Sequence, residues 1–154
     1  MDRTFLPLIL LKQEDSEPIE GITRFMKLVF LAQEEGLDDD LYEFEAAQYG
    51  PFSKSLYSHI DSLVEEKYIS EEQEEIRPGE YKQIYRITDK GKETLRNAQD
   101  SDELDLTDSE SLRQIKSKRN SEDLWDLLEY VYWEYPQMAK NSVLDIPVGP
   151  TENN

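Results

Sequence analysis

The residues most able to do chemistry in this chain are hydroxyl groups and cations at the start of one predicted helix and on the hairpin after it. Such side chains donate hydrogen bonds to phosphate oxygens and base edges, which recognition helices contact with their N-terminal residues. A solvated polar face is the alternative for the same pattern. The predicted contact residues for double-stranded DNA are Ser53, Lys54, Ser55, Tyr57 and Ser58 on the helix, with Arg77 and Lys82 on the hairpin.

The sequence contains no arrangement of residues that indicates enzymatic chemistry. The chain has no cysteine, which excludes disulfides, thiolate metal sites and thiol catalysis. Its single histidine, His59, lies among ordinary helix-surface residues, whereas a hydrolytic triad needs an organised nucleophile and carboxylate. None of the six glycines forms a Gly-x-Gly pair. We therefore predict no catalytic residue, no metal site and no cofactor.

The charge balance is strongly acidic, with a formal net charge of −18 from 17 Lys and Arg against 35 Asp and Glu. This charge repels nucleic acid and anionic membranes at low salt. At molar salt, as in a halophilic organism, the Debye length falls to roughly 3 Å, which removes this long-range repulsion. The acidity fits a halophilic and a non-halophilic source equally. The apolar run 5–11 is too short to span a bilayer and lacks a cleavage site. We expect a cytoplasmic protein that binds no membrane.

The apolar spacing predicts helices interrupted by one short strand and one hairpin. Ile22, Phe25, Met26, Val29 and Phe30 form one helical stripe, and hydroxyl caps and turn residues mark the element ends. The predicted elements are a helix over 5–12 capped by Thr4, a polar break over 14–21, a helix over 23–35 stopped by a left-handed Gly36, a strand over 41–46, a turn over 49–52, a helix over 53–67, a hairpin with strands from 68 and 81 and its turn at 77–80, and a helix from 88 through 95.

The end of the hairpin carries the most specific pattern. Tyr85-Arg86-Ile87-Thr88 is followed by Gly91 and Leu95, which places an apolar strand end, a helix cap and a core residue in order. This resembles the Tyr-x-Leu-Thr-x-x-Gly-x-x-x-Leu ending of winged-helix regulators. The resemblance implies an α+β winged helix, made of helices and a β-hairpin wing, with a C-terminal helical extension. Another small α+β domain with a capped helix after its hairpin is the alternative.

A second resemblance covers residues 22–57. Lys27-Leu28 with Ala32-Gln33 is followed by Tyr49-Gly50-Pro51. The pattern is similar to the Panacea (SocA-like) antitoxin domain, in which a Lys-Leu-x-x-x-Ala-Gln helix precedes a Tyr-Gly-Pro turn. This resemblance implies an antitoxin or chaperone-like adaptor that binds a protein partner such as a toxin.

Three features weigh against direct DNA binding. The outgoing wing strand carries four glutamates between 71 and 75, where a phosphate backbone favours cations. About eighteen residues separate the second and third predicted helices, instead of the three or four of a helix-turn-helix. Six acidic residues over 100–110 precede the one dense basic cluster, so local pairing competes with phosphate contact there. The cluster consists of Arg113, Lys116, Lys118 and Arg119.

The last predicted helix, over 121–134, is apolar on more than the one stripe needed to dock on its own domain. Terminal helices often pair winged-helix regulators, and two-fold pairing is the commonest symmetry. We predict a homodimer formed through Trp125, Leu128 and Tyr132. The alternative is that the tryptophans cover the intrachain core.

These observations predict a winged-helix domain over 1–98, an acidic linker over 99–111, a helical extension over 112–144 and a flexible tail over 145–154. The predicted function is that of a non-enzymatic, DNA-binding transcriptional regulator acting as a dimer. An antitoxin-like adaptor that holds a basic protein partner on an acidic face is the alternative, and an acidic mimic of nucleic acid is a third.

Overall fold

The structure is a computed structural model that describes residues 5–37, 39–105 and 109–150. Thr4, the predicted cap of the first helix, lies outside these ranges. The elements are α1 (Phe5–Ser16), β1 (Ile19–Glu20), α2 (Ile22–Leu31), β2 (Glu45–Ala47), β3 (Gly50–Phe52), α3 (Lys54–Glu65), β4 (Ile69–Arg77), β5 (Glu80–Ile87), α4 (Asp89–Asp100), α5 (Ser109–Arg119) and α6 (Leu124–Glu134). A π-helix (Ala32–Gly36) continues α2, and a 3-10 helix (Pro136–Ala139) follows α6.

Helix α1 lies inside the larger of two apolar cores. All its side chains over 5–11 are buried, so the helix needs no polar face. Glu14 and Asp15 have positive φ and turn the chain out of the helix. The predicted polar break is wrong at Ile19 and Glu20, because Ile19 pairs with Tyr85 as part of strand β1.

Helix α2 and the π-helix together occupy the range predicted as one helix, and every side chain from Phe25 to Leu31 is buried. The prediction of a left-handed Gly36 is wrong. In the described ranges the glycines with positive φ are Gly21, Gly50 and Gly79. A Cβ at Gly36 would lie 2.9 Å from Ile115 Cδ1, so this glycine allows α5 to approach closely.

A small antiparallel hairpin precedes α3, with Glu45 of β2 opposite Phe52 of β3. The predicted strand over 41–46 is wrong in extent, because Leu41 and Tyr42 are buried in an irregular segment and pairing begins only at Glu45. The predicted turn over 49–52 is also wrong in extent, because strand β3 occupies residues 50–52.

The predicted wing is confirmed. Strands β4 and β5 pair antiparallel from Ile69 opposite Ile87 to Arg77 opposite Glu80, with an irregularity near the tip. Strand β1 joins the other side of β5, which gives the order β1-β5-β4.

The two predicted helix caps are also confirmed. The Oγ of Ser53 accepts a hydrogen bond from the Leu56 amide, and the Oγ1 of Thr88 accepts one from the Gly91 amide, both at 3.1 Å. Each cap satisfies an amide that the first turn of a helix leaves without an intrahelical partner.

The segments after α4 contribute to the same core. Leu104 and Leu112 are buried in the cluster that contains α1, so described residues of both the predicted linker and the predicted extension pack on the winged helix. A second cluster joins Phe30 of α2 to Leu127 and Val131 of α6.

The predicted flexible tail packs on the protein at two of its described residues, Ile146 and Gly149. Ile146 is buried in the second cluster, and the Gly149 amide donates to the Tyr132 carbonyl at 3.3 Å. None of the helices in the described ranges combines the length and the apolar composition that crossing a bilayer requires.

Candidate nucleic-acid interface

Ser53 sets the start of α3 and is fully buried. Its Oγ accepts from the Leu56 amide and lies 3.1 Å from the Ser55 Oγ. A side chain without exposed surface cannot reach a base, so the predicted contact of Ser53 with DNA is corrected. Ser53 is instead a positioning residue, because its cap fixes the direction in which the next residues project.

The other predicted helix residues lie on the first turns of α3. The side chain of Lys54 is 83% exposed, and Tyr57 is 45% exposed. Ser58 is exposed and Ser55 is half-buried. The ring of Tyr57 lies against that of Phe52, with centroids 5.9 Å apart, so β3 fixes its direction. The structure therefore gathers these four residues at one end of α3.

Each predicted phosphate-contacting cation has a carboxylate beside it. A phosphate oxygen would therefore compete with a carboxylate at every such position. All of these side chains except Lys82, at 32%, are more than half exposed, and exposed pairs are weak, so exchange of partners costs little free energy. The N–O distances are 3.8 Å for Lys54 and Glu45, 3.6 Å for Arg77 and Glu80, and 3.3 Å for Lys82 and Glu20.

The wing presents carboxylates on both faces of its sheet. Glu71 and Glu75 stand opposite Tyr85 and Tyr81, and Glu74 stands opposite Lys82 on the other face. Tyr81 is 58% exposed, so an aromatic ring and several acids cover the outer wing. This composition suits a basic partner better than a phosphate backbone.

The side of the wing near α3 is also negative. Burial raises the pKa of Tyr85 above its usual range, and the charges of Glu71 and Asp61 and the neighbouring Tyr57 add to the effect. Gln83 donates to the Glu71 carboxylate at 2.9 Å and accepts from the Tyr85 hydroxyl at 3.2 Å. This chain of hydrogen bonds holds Glu71 near the helix predicted to read DNA.

Lys116, from the basic cluster on α5, is buried and serves the fold. Its Nζ donates to the carbonyl oxygens of Leu11, Gln13 and Glu17 at 3.0, 2.7 and 2.6 Å. These carbonyls lie at and just beyond the end of α1, where a helix leaves acceptors unpaired. Lys116 therefore cannot contact phosphate.

The arginines of the same cluster have local partners too. Arg113 pairs with Glu110 and Glu14. Arg119 pairs with Glu122 at 2.7 Å and lies over the Tyr130 ring, 3.6 Å from its centroid. These contacts support local pairing over phosphate contact for the cluster.

The predicted dimerisation residues on α6 divide into two groups. Leu128 and Tyr132 are buried within the chain, and the Tyr132 hydroxyl donates to the Ser142 Oγ at 2.6 Å. They are core residues, so their assignment to an intermolecular face is corrected. Trp125 is 45% exposed, and the preceding Leu124 is exposed as well. Trp133, which lies two turns further along α6, is also exposed. Dimerisation through Trp125 stays a prediction.

A buried lysine that the site prediction missed lies against β3, the strand that precedes α3. Lys27 is 2% exposed, and its Nζ donates to the Pro51 carbonyl at 3.1 Å. Gln33 donates to the Tyr42 carbonyl at 3.1 Å and accepts from the Tyr42 amide at 2.6 Å. The structure thus joins the lysine and the Tyr-Gly-Pro turn of the second sequence pattern. The signal for Lys27 was its position within an otherwise apolar run.

The comparisons with known proteins bear on the same region. Residues 37–97 match the PadR-like family of transcriptional regulators. This range runs from the end of the π-helix through β2, β3, α3, the wing and most of α4. The comparison with curated proteins found no match. The family match confirms the winged-helix fold and the regulator function predicted from the sequence. Over about two fifths of its length, the chain is thus similar to the winged-helix transcriptional regulators of the PadR-like family.

Proposed function

We propose that the protein binds double-stranded DNA as a homodimer, with the start of α3 in the major groove and the wing beside the flanking backbone. The observation that carries the proposal is the accessible end of α3, where Lys54, Tyr57 and Ser58 project beyond the buried cap. The PadR-like match supports this arrangement, because it spans both α3 and the wing.

The charges limit how strong the binding can be. The three cations predicted to contact phosphate, Lys54, Arg77 and Lys82, are each paired with a carboxylate. The slope of log affinity against log salt is about 0.9 per neutralised phosphate, so we expect a slope of only about two to three per subunit. Contacts to the bases, rather than electrostatic attraction to the phosphates, would therefore have to supply most of the affinity.

An anisotropy titration tests the proposal. The probe is a DNA duplex from upstream of the protein's own gene, measured at low and at high salt. Lys54→Ala should weaken binding several-fold and lower the salt slope by about one unit. Lys140→Ala, which removes an exposed lysine after the 3-10 helix, should change little. Absence of binding at both salt concentrations would overturn the DNA proposal.

The dimer rests on the exposed apolar residues of α6. Leu124 and Trp125 leave apolar surface outside the core that Leu128 and Tyr132 complete. An isologous pairing would bring this surface against its copy in a partner subunit and remove it from water. Light scattering across a concentration series measures the state directly.

A second candidate is an adaptor that binds a basic protein partner on the acidic wing. The carboxylates beside every predicted DNA-contacting cation favour it, as does the joining of Lys27 to the Tyr-Gly-Pro turn seen in the antitoxin-like pattern. A lysine-rich peptide should bind the wild type and lose several-fold affinity when Glu71 and Glu75 become glutamine. Glutamine at Glu129 and Glu134 on α6 changes the net charge equally and should not. Equal losses in both variants would leave only nonspecific attraction.

A further inference from the structure

We propose that a cavity between α2 and the β2–β3 hairpin is a binding site for a small carboxylate with an apolar body, held by Lys27. The cavity has a volume of about 450 Å³, within the range of small-molecule sites. Tyr49, which is half exposed, forms part of its wall, so the cavity reaches the surface. Its main apolar lining consists of Ile22, Met26, Ala47, Tyr49 and Phe52.

Lys27 is the group that gives this cavity its chemistry. An ammonium has three N–H donors, and the Pro51 carbonyl accepts one of them at 3.1 Å. Among the described residues no carboxylate forms an ion pair with Lys27, although the chain holds 35 acids. The contrast with Lys116 is sharp, since that equally buried ammonium donates to three carbonyls.

A buried cation without a counter-charge is unfavourable unless an anion or a set of acceptors compensates it. Burial accordingly lowers the pKa of Lys27 to about 7. A carboxylate in the cavity would accept the remaining N–H groups as charge-assisted hydrogen bonds and stabilise the protonated amine. Lys27 is therefore a buried lysine with two N–H donors to spare in the lining of a cavity.

The walls select the class of anion. Lys27 is the one cation among the lining residues and most of the lining is apolar, so a dianionic phosphate would find too few donors. A monocarboxylate places one charge on Lys27 and its hydrocarbon part against Ile22, Met26 and Phe52. Gly50 also lines the cavity and packs closely on the lysine, because a Cβ there would lie 3.3 Å from Lys27 Cε and 3.0 Å from the Tyr132 ring.

The experiment titrates the full chain with hexanoate and, as a neutral probe of the same shape, hexanamide, following backbone amide chemical shifts by NMR. Hexanoate should bind about tenfold or more tightly than hexanamide, since a charge-assisted hydrogen bond distinguishes the two. The shifts should concentrate on α2 and on 47–52. Lys27→Met should reduce the preference to within about twofold, while Lys118→Met, at an exposed lysine, should retain it.

A second readout does not require a variant to fold. Binding of hexanoate to the wild type should raise the pKa of the Lys27 amine, followed by NMR of the side chain, whereas hexanamide should leave it unchanged. Equal affinity for the two probes, hexanoate binding that survives Lys27→Met unchanged, or no hexanoate binding would each overturn the proposal. None of these outcomes depends on whether the protein binds DNA.

Discussion

Glu45 of β2 and Lys54 of α3 lie across from one another, with 3.8 Å between the carboxylate and the ammonium and both side chains more than half exposed. Strand β2 belongs to the chain inserted between α2 and α3, so this insertion places a carboxylate beside the lysine that we propose as a phosphate contact. An exposed pair contributes at most about 1 kcal/mol to stability. The pair should matter more for DNA binding than for stability, because it determines how much of the Lys54 charge is available to a phosphate.

Glu45→Gln should therefore strengthen DNA binding by about two- to fivefold at low salt, and the gain should shrink as salt screens both charges. Anisotropy titrations at two salt concentrations measure it. Glu134→Gln makes the same change in net charge at an exposed site on α6 and serves as the control. If both variants gained equally, the effect would be one of net charge and Lys54 would not be the contact.

Replacement by methionine should change the free energy of unfolding very differently at the two buried lysines. Lys116→Met leaves three carbonyl oxygens without their donor, so we expect a loss of about 2–4 kcal/mol in the free energy of unfolding. Lys27→Met removes a poorly compensated charge and should change stability by less than about 1 kcal/mol or increase it. Urea unfolding followed by circular dichroism gives both values. A larger loss at Lys27 than at Lys116 would contradict this ranking.

Stability should also rise with pH above neutrality. Burial lowers the pKa of Lys27 from 10.5 to about 7, so between these values the unfolded chain binds more protons than the folded one. The free energy of unfolding should then increase by up to about 1.4 kcal/mol per pH unit. Lys116, whose pKa burial lowers to about 8 against the opposing charges of Glu17 and Glu14, adds to the upper part of the window.

Comparison of wild type and Lys27→Met from about pH 7 to about pH 9 isolates this contribution. The variant should show the smaller slope, with the Lys116 contribution left. The nearby Tyr132 does not interfere, because burial raises its pKa and keeps it protonated there. Parallel slopes in the two proteins would show that Lys27 is not the titrating group.

Dimerisation should depend on Trp125 and not on Leu128. Trp125→Glu places a charge on exposed surface and should yield a folded monomer. Leu128→Glu buries a charge in the core and should unfold the chain instead. Light scattering and circular dichroism together separate the two outcomes. A dimer that persists in Trp125→Glu would move the interface elsewhere.

Gly91 should be intolerant of a side chain. A Cβ there would lie 2.5 Å from the Tyr68 carbonyl oxygen and 2.8 Å from Ile87 Cγ1, where α4 meets the base of the wing. Gly91→Ala should therefore lower stability by about 1–3 kcal/mol despite alanine's better helix propensity. Gly36→Ala, whose nearest neighbour is the flexible end of Ile115, should lose less than about 1 kcal/mol. Equal losses at the two positions would argue against backbone crowding.

The sequence predicted best where one local rule was sufficient. The caps at Ser53 and Thr88 and the wing register follow from residue type and alternation over a few positions. Strand β1 has two residues, too few for any periodicity, and exists because β5 offers an edge. Burial of Lys116 was also hidden, because its acceptors lie about a hundred residues away in the chain. Contacts of that separation are set by packing and leave no local pattern.

The outer edge of β4 has a consequence beyond recognition. In the described part of the chain the order β1-β5-β4 leaves this nine-residue strand without a neighbour on one side. Open strand edges recruit the edges of other copies and so begin aggregation. Glu71, Glu72, Glu74 and Glu75 would meet their counterparts in such a pairing, and like charges placed opposite one another are destabilising. The acidity that weakens the wing as a partner for phosphate thus keeps crowded copies of the protein from joining strand to strand.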